Sequence, residues 1–116
     1  MIERSIDALA HVRFSDSNAT VTELSVTDFG SVAVWGVRPG QEVPAHFHPD
    51  GQDTWVVLRG SLTYFVGNGQ TREIHAGTVD IADRREVHGA RNSGVEDAVF
   101  VSIYSARSLK TVKATP

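Results

Sequence analysis

Residues 45–55 read AHFHPDGQDTW, with two histidines one residue apart ahead of Pro, Asp, Gly, Gln and Asp. Such a stretch is either a polar loop beside a strand or half of a ligand cluster. In a β-strand, residues i and i+2 point to the same face, roughly 6.5–7 Å apart. His46 and His48 would then project together, with Phe47 on the other side. Two imidazoles at that spacing can converge on one cation at about 2.0–2.2 Å from each nitrogen. A lone His-x-His is more often ordinary polar sequence than a metal site, so the flanking residues must carry the reading.

The flanks read as strands. Turn signals recur at DFGS (28–31), RPGQ (38–41), HPDGQ (48–52), RGS (59–61), GNGQ (67–70), HAGT (75–78), ADRRE (82–86) and NSGVED (92–97). Between them lie short runs rich in Val, Ile, Thr, Tyr, Phe and Trp: TVTELSVT (20–27), SVAVWGV (31–37), TWVVLR (54–59), SLTYFV (61–66), TREIH (71–75), TVDIA (78–82) and AVFVSIY (98–104). Short strands at this spacing predict an all-β sandwich or barrel. The clearest hairpin is SLTYFV-GNG-QTREIH, whose Asn-Gly supplies the positive φ angles of a tight turn. Residues 2–10 could form one or two helical turns, and 105–116 is expected to be an extended arm or disordered.

Composition narrows the function. The 116 residues are 41% apolar, enough for one core, and predict a single domain over 1–116. The net charge of −3 offers no basic field for nucleic acid or an anionic membrane. With no Cys there are no disulfides, thiolate metal sites or Cys nucleophiles. The N-terminus lacks a signal-peptide pattern and no run reaches membrane-spanning length, so the expectation is a soluble, cytoplasmic protein. No Gly-x-Ser-x-Gly and no phosphate-cradling Gly loop ahead of a helix occurs.

The histidine pair also opens a longer pattern. Gly40 is followed after five residues by His46, then His48, then Asp53 after four more and Gly60 after six. Gly77 is followed after ten residues by His88 and, three residues on, by Asn92. These stretches, 40–60 and 77–92, resemble the two motifs of the cupin family, Gly-x5-His-x-His-x3–4-Glu-x6-Gly and Gly-x5-Pro-x-Gly-x2-His-x3-Asn. The resemblance covers residues 40–92 and implies a double-stranded β-helix, or jelly-roll barrel, with a short N-terminal strand extension. Three positions depart from it: Asp83 and Arg85 replace the second motif's Pro and Gly, and Asp53 stands where the first has Glu. Gln52 also fits the Glu position at the shorter spacing. Neighbouring strand residues face opposite sides, so one of the two ligates, and the register to Gly60 favours Asp53.

The resemblance implies one divalent transition metal per chain, held by His46, His48, Asp53 (or Gln52) and His88. Three imidazoles and a carboxylate suit Fe, Mn, Ni, Co, Cu or Zn. Such a site would keep net positive charge and favour anionic oxygen ligands. By strand parity, Trp55 and Val57 share the face of Asp53, and Ala90 and Asn92 that of His88, so these four are candidate cavity-lining residues. Trp55 reads more readily as core than as a wall for substrate, and Asn92 more readily as the residue that fixes the turn after the His88 strand. Trp35 and Tyr64 could reach the cavity from neighbouring strands; Tyr64 is the candidate acid/base. Arg59, Arg84, Arg85 and Arg91 read as solvated surface, and His11 and His75 as surface or edge residues.

Two functions fit. One is a metal-dependent enzyme acting on a small oxygenated or anionic molecule, of dioxygenase, isomerase or lyase type. The other is a barrel that binds a sugar or organic acid without turnover. The expected partners are a small molecule and a second copy of the chain, since the family commonly dimerises by sheet extension. A solution mass of 12.6 kDa by light scattering, that of one chain, would refute the homodimer.

Overall fold

A computed structural model describes residues 4–106 and 111–116. A four-residue helix, α1 (Ala8–His11), precedes ten strands. These are β1 (Thr20–Thr27), β2 (Gly30–Val37), β3 (Glu42–Phe47), β4 (Gln52–Arg59), β5 (Ser61–Gly67), β6 (Gln70–His75), β7 (Val79–Ala82), β8 (His88–Arg91), β9 (Ala98–Ser105) and β10 (Val112–Lys113). They form two five-stranded antiparallel sheets, ordered β1-β2-β9-β4-β7 and β10-β3-β8-β5-β6. This is the jelly-roll arrangement, with β1 as the N-terminal extension of the first sheet. No described helix is long and apolar enough to cross a membrane.

Local chemistry sets the elements. Asp7 caps α1 by accepting from Leu9 N and Ala10 N, and the helix stops where Val12 turns extended. The β5–β6 hairpin turns on Asn68 and Gly69, at φ 57° and 73°. Burial alternates along β4, where Asp53, Trp55 and Val57 face inward and Gln52, Thr54 and Val56 do not. The C-terminal segment is an ordered arm at its end: Val112 and Lys113 pair with Phe47 and His46. The part of the expected tail at 107–110 lies outside the described residues.

One irregularity positions the histidines. Val43 pairs with Ala90, but the next partners are His46 and His88, so β3 carries one residue more than β8 between the two pairs. This bulge spans Pro44, whose missing N–H suits an interrupted ladder. A one-residue shift exchanges the two faces of a strand. Val43 therefore points inward before the bulge and His46 after it. Gly89 lies across from the bulge at φ 154°, where a Cβ would stand 2.8 Å from Val43 O and 2.9 Å from Ala45 Cα. Only Gly permits that approach.

The inner faces bury Val37, Val43, Trp55, Val57, Leu62, Tyr64, Ile74, Ala90, Ala98 and Phe100 as one cluster. Trp55 stacks on Phe100 at 3.9 Å and meets Tyr64 edge-on at 5.3 Å. At its margin Asn92, fully buried, donates through Nδ2 to Val37 O and Glu96 O and accepts from Gly94 N. Removing these bonds strands the buried Val37 carbonyl and loosens the loop through Gly94 and Glu96. Asn92→Ala should cost about 2–4 kcal/mol in urea denaturation. Arg91→Ala next to it, on an exposed side chain, should stay within about 0.5 kcal/mol.

Candidate metal centre

Four side chains converge between the sheets. His46 on β3, His48 just after it and His88 on β8 come from the second sheet; Asp53 on β4 comes from the first. Their donor atoms all lie within 4.8 Å of one another. The imidazole centroids are 4.2 Å apart for His46 and His88, 4.9 Å for His48 and His88, and 5.0 Å for His46 and His48. Asp53 Oδ2 lies 3.2 Å from His48 Nε2 and 3.0 Å from His88 Nε2. Asp53, His48 and His88 are buried and His46 is partly so. The His48 loop is pinned from outside by Arg85 N–H, which donates to His48 O. Arg85 keeps positive φ, 67°, at the position that is Gly in the second motif.

The hydrogen bonds aim the nitrogens. His46 Nδ1 lies 2.7 Å from Pro44 O, and His88 Nδ1 lies 3.1 Å from Glu86 O. A carbonyl only accepts, so both Nδ1 atoms carry hydrogen, and a neutral ring then has its lone pair on Nε2. At His88 that lone pair faces the Asp53 carboxylate at 3.0 Å. Two acceptors at that distance require a proton or a cation between them. Asp53 Oδ1 is buried with no hydrogen-bond partner among the described residues. Imidazoles held through Nδ1 to backbone carbonyls and an under-satisfied buried carboxylate are what a bound divalent cation fits.

Beside this cluster opens a cavity of about 420 Å³, lined among others by His46, His48, Asp53, Tyr104, Trp35 and Lys113. Its wall differs from the expected one. Trp55, Val57, Ala90 and Asn92 do face inward, as parity requires, but they pack the core and do not line the cavity. Parity reports the face of a strand; it does not say where along that face the packing ends. Gln52 lies on the face of β4 opposite to Asp53, whose carboxylate is the one that meets the imidazoles. Tyr64 is also displaced from its expected place. It is buried against Trp55, and burial together with a hydrogen bond to Asp80 raises its pKa well above the ordinary phenol range. The phenol at the cavity is Tyr104, whose ring lies 4.5 Å from that of His48. Tyr104 pairs with Asp53 across β4 and β9, so the register of those strands would have revealed it. Trp35 does line the cavity, stacked on Phe100 at 5.8 Å.

Acid should unsettle the metal-free cluster. Burial and the neighbouring His88 lower the His46 pKa from 6.5 to about 4. Between those values the unfolded chain binds a proton that the folded one refuses, so the stability held above pH 6.5 is lost on the way down to 4. Burial would raise the Asp53 pKa, but the imidazoles of His48 and His88 beside it prevail and lower it from 3.8 to about 2. Its contribution is present above 3.8 and is lost as pH falls toward 2. The melting temperature of chelator-treated protein should therefore fall steadily as pH is lowered from 6.5 to 4. A flat profile would contradict the buried arrangement of His46.

Comparison with known proteins agrees with this architecture. No curated protein sequence matches the chain. Residues 33–104 match the cupin domain family. An uncharacterized conserved protein with a double-stranded β-helix domain from Klebsiella pneumoniae subsp. pneumoniae MGH 78578 superposes with a TM-score of 0.94 at 37% identity, covering 98% of this chain and 99% of that one. An RmlC-like cupin protein from Desulfovibrio desulfuricans superposes at 0.75 with 28% identity, over 87% and 95% of the two chains. A predicted oxalate decarboxylase from Thermotoga maritima superposes at 0.71 over 76% and 80%; its 24% identity speaks to the fold alone. With its two sheets, both motifs and the matched span, this chain belongs to the cupin family.

Proposed function

We propose that the protein is a metal-dependent cupin that binds and transforms a small, oxygenated, anionic organic molecule. The observation that carries this reading is the convergence of three imidazoles and one carboxylate on a cavity large enough for a small ligand. His46, His48, His88 and Asp53 would hold one divalent ion, drawn from Fe, Mn, Ni, Co, Cu or Zn. Bound there, the ion would supply Lewis acidity toward a ligand oxygen.

The chain's own residues supply the rest. Asp53 keeps its negative charge down to low pH, so it offsets the cation without waiting for deprotonation. The Nδ1–H bonds to Pro44 O and Glu86 O hold two of the rings in one tautomer. Ala33, Trp35 and Val43 give the cavity an apolar wall, which strengthens charge interactions beside it. Tyr104 brings a phenol to the cavity beside His48. The other reading, a binding barrel without turnover, uses the same residues and differs only in outcome.

Elemental analysis separates these readings from a metal-free one. Protein purified without chelators or a nickel column should carry near-stoichiometric divalent metal, and a His46→Ala/His48→Ala variant should lose it. Chelation should lower stability, by about 2.7 kcal/mol relative to protein with free metal at 100 times its Kd. Metal uptake and ligand binding without product formation would favour the binding barrel. No metal, and no uptake when these ions are offered, would contradict the proposal.

A further inference from the structure

We infer that the C-terminal arm is part of the binding site: Lys113 reads the anionic head of the ligand beside the histidines, and the wall around Trp35 takes an apolar body. The ligand class is then a carboxylate with an adjacent oxygen at one end and an apolar body of about one ring at the other. This rests on the metal-site reading for where the oxygen pair goes.

Lys113 is placed by a ladder. It stands directly opposite His46, which stands opposite His88, so the three form one cross-strand row. Side chains directly opposite in such a row lie on one face, with Cβ atoms about 4.5–5.5 Å apart. Backbone bonds hold the arm: Ala114 N–H donates to Ala45 O at 3.1 Å, and Gly69 N–H to Pro116 O at 2.8 Å. Thr111 Oγ1 lies 3.4 Å from His48 Nδ1, so the arm also touches a candidate ligand ring. Lys113 lines the cavity, and no described carboxylate forms an ion pair with its ammonium. A cation with no carboxylate partner among the described residues, next to a cluster suited to a metal ion, marks the end where negative charge belongs.

The opposite sheet grades from polar to apolar. Ser31, Tyr104 and Asp53 share one row; Glu23, Ala33 and Ser102 share the next inward row; Val21, Trp35 and Phe100 share the third. Four residues along a strand span about 13 Å. A ligand with its oxygens at the Asp53 row can thus lay a body along Ala33 toward Trp35. At about 30 Å³ per water-sized group, a cavity of about 420 Å³ holds on the order of a dozen such groups. A two-carbon diacid would leave most of the apolar wall wet. Glu23, on the exposed rim of that wall, repels a second carboxylate at the far end. Head charge and apolar body are therefore selected together.

Titration calorimetry tests this with three probes: phenylglyoxylate, its neutral methyl ester, and oxalate, each offered to zinc-loaded and to chelated protein. Phenylglyoxylate should bind the zinc-loaded protein about tenfold or more tighter than oxalate. Lys113→Met should weaken phenylglyoxylate about tenfold and leave the methyl ester unchanged, with zinc content intact, and Lys113→Arg should restore most of the loss. Trp35→Ala should weaken phenylglyoxylate and spare oxalate. Equal or tighter binding of oxalate, or wild-type affinity for phenylglyoxylate in Lys113→Met, would overturn the inference. Failure to take up zinc would instead count against the metal site. The chelated protein then decides the arm's role: Lys113-dependent binding of phenylglyoxylate supports it, and binding indifferent to Lys113 overturns it.

Discussion

A buried carboxylate reaches from one sheet to the imidazoles of the other, and the rest of the site is arranged around that contact. Asp53 is the only one of the four cluster residues that the first sheet contributes. Its Oδ2 meets His48 and His88, while Oδ1 has no hydrogen-bond partner among the described residues. Burying a charged group costs several kcal/mol unless it is compensated, so this arrangement calls for positive charge at the centre. The surrounding details serve it. The β3 bulge turns His46 inward, Gly89 lets the bulged strand approach, Pro44 O and Glu86 O fix two rings, and Arg85 pins the His48 loop.

Much of this is legible in the sequence because it is local. Seven runs read as strands from β-branched and aromatic residues between turns, and each has its strand within a residue or two of the expected bounds. The Asn68-Gly69 hairpin and the spacing of His46, His48, Asp53 and His88 are equally direct. What is not legible depends on pairing between distant strands. The inward turn of His46 needs the extra residue of β3 to be set against β8. Tyr104, and not Tyr64, faces the cavity because β9 places it opposite Asp53, fifty-one positions earlier in the chain. Trp55, Val57, Ala90 and Asn92 lie on the inner faces that parity names, yet where core stops and cavity starts is settled by how both sheets fill the space. The sequence leaves 105–116 as extended or disordered, since Val112 and Lys113 make a strand only by borrowing the edge of β3.

Fold and function separate at that boundary. The barrel and its ligand cluster are shared features of the cupin family, and one scaffold of this kind can serve many reactions. Around the cluster the cavity wall is built from Trp35 stacked on Phe100, Ala33 and Val43 beside it, Tyr104 near His48, Glu23 at the rim and Lys113 on the arm. These residues lie on β1, β2, β3, β9 and β10, mostly outside the two motifs. On the proposed function, ligand choice would fall to the wall and the kind of chemistry to the cluster.

On the proposed function, Asp53 and three histidines hold one divalent ion between the sheets. Anomalous diffraction from crystals grown without chelator tests it most directly. A single anomalous peak is expected about 2.0–2.2 Å from a nitrogen of His46, His48 and His88 and from an oxygen of Asp53. A map with no peak in the cluster, and Asp53 hydrogen-bonded directly to His48 and His88 under metal-replete conditions, would contradict it.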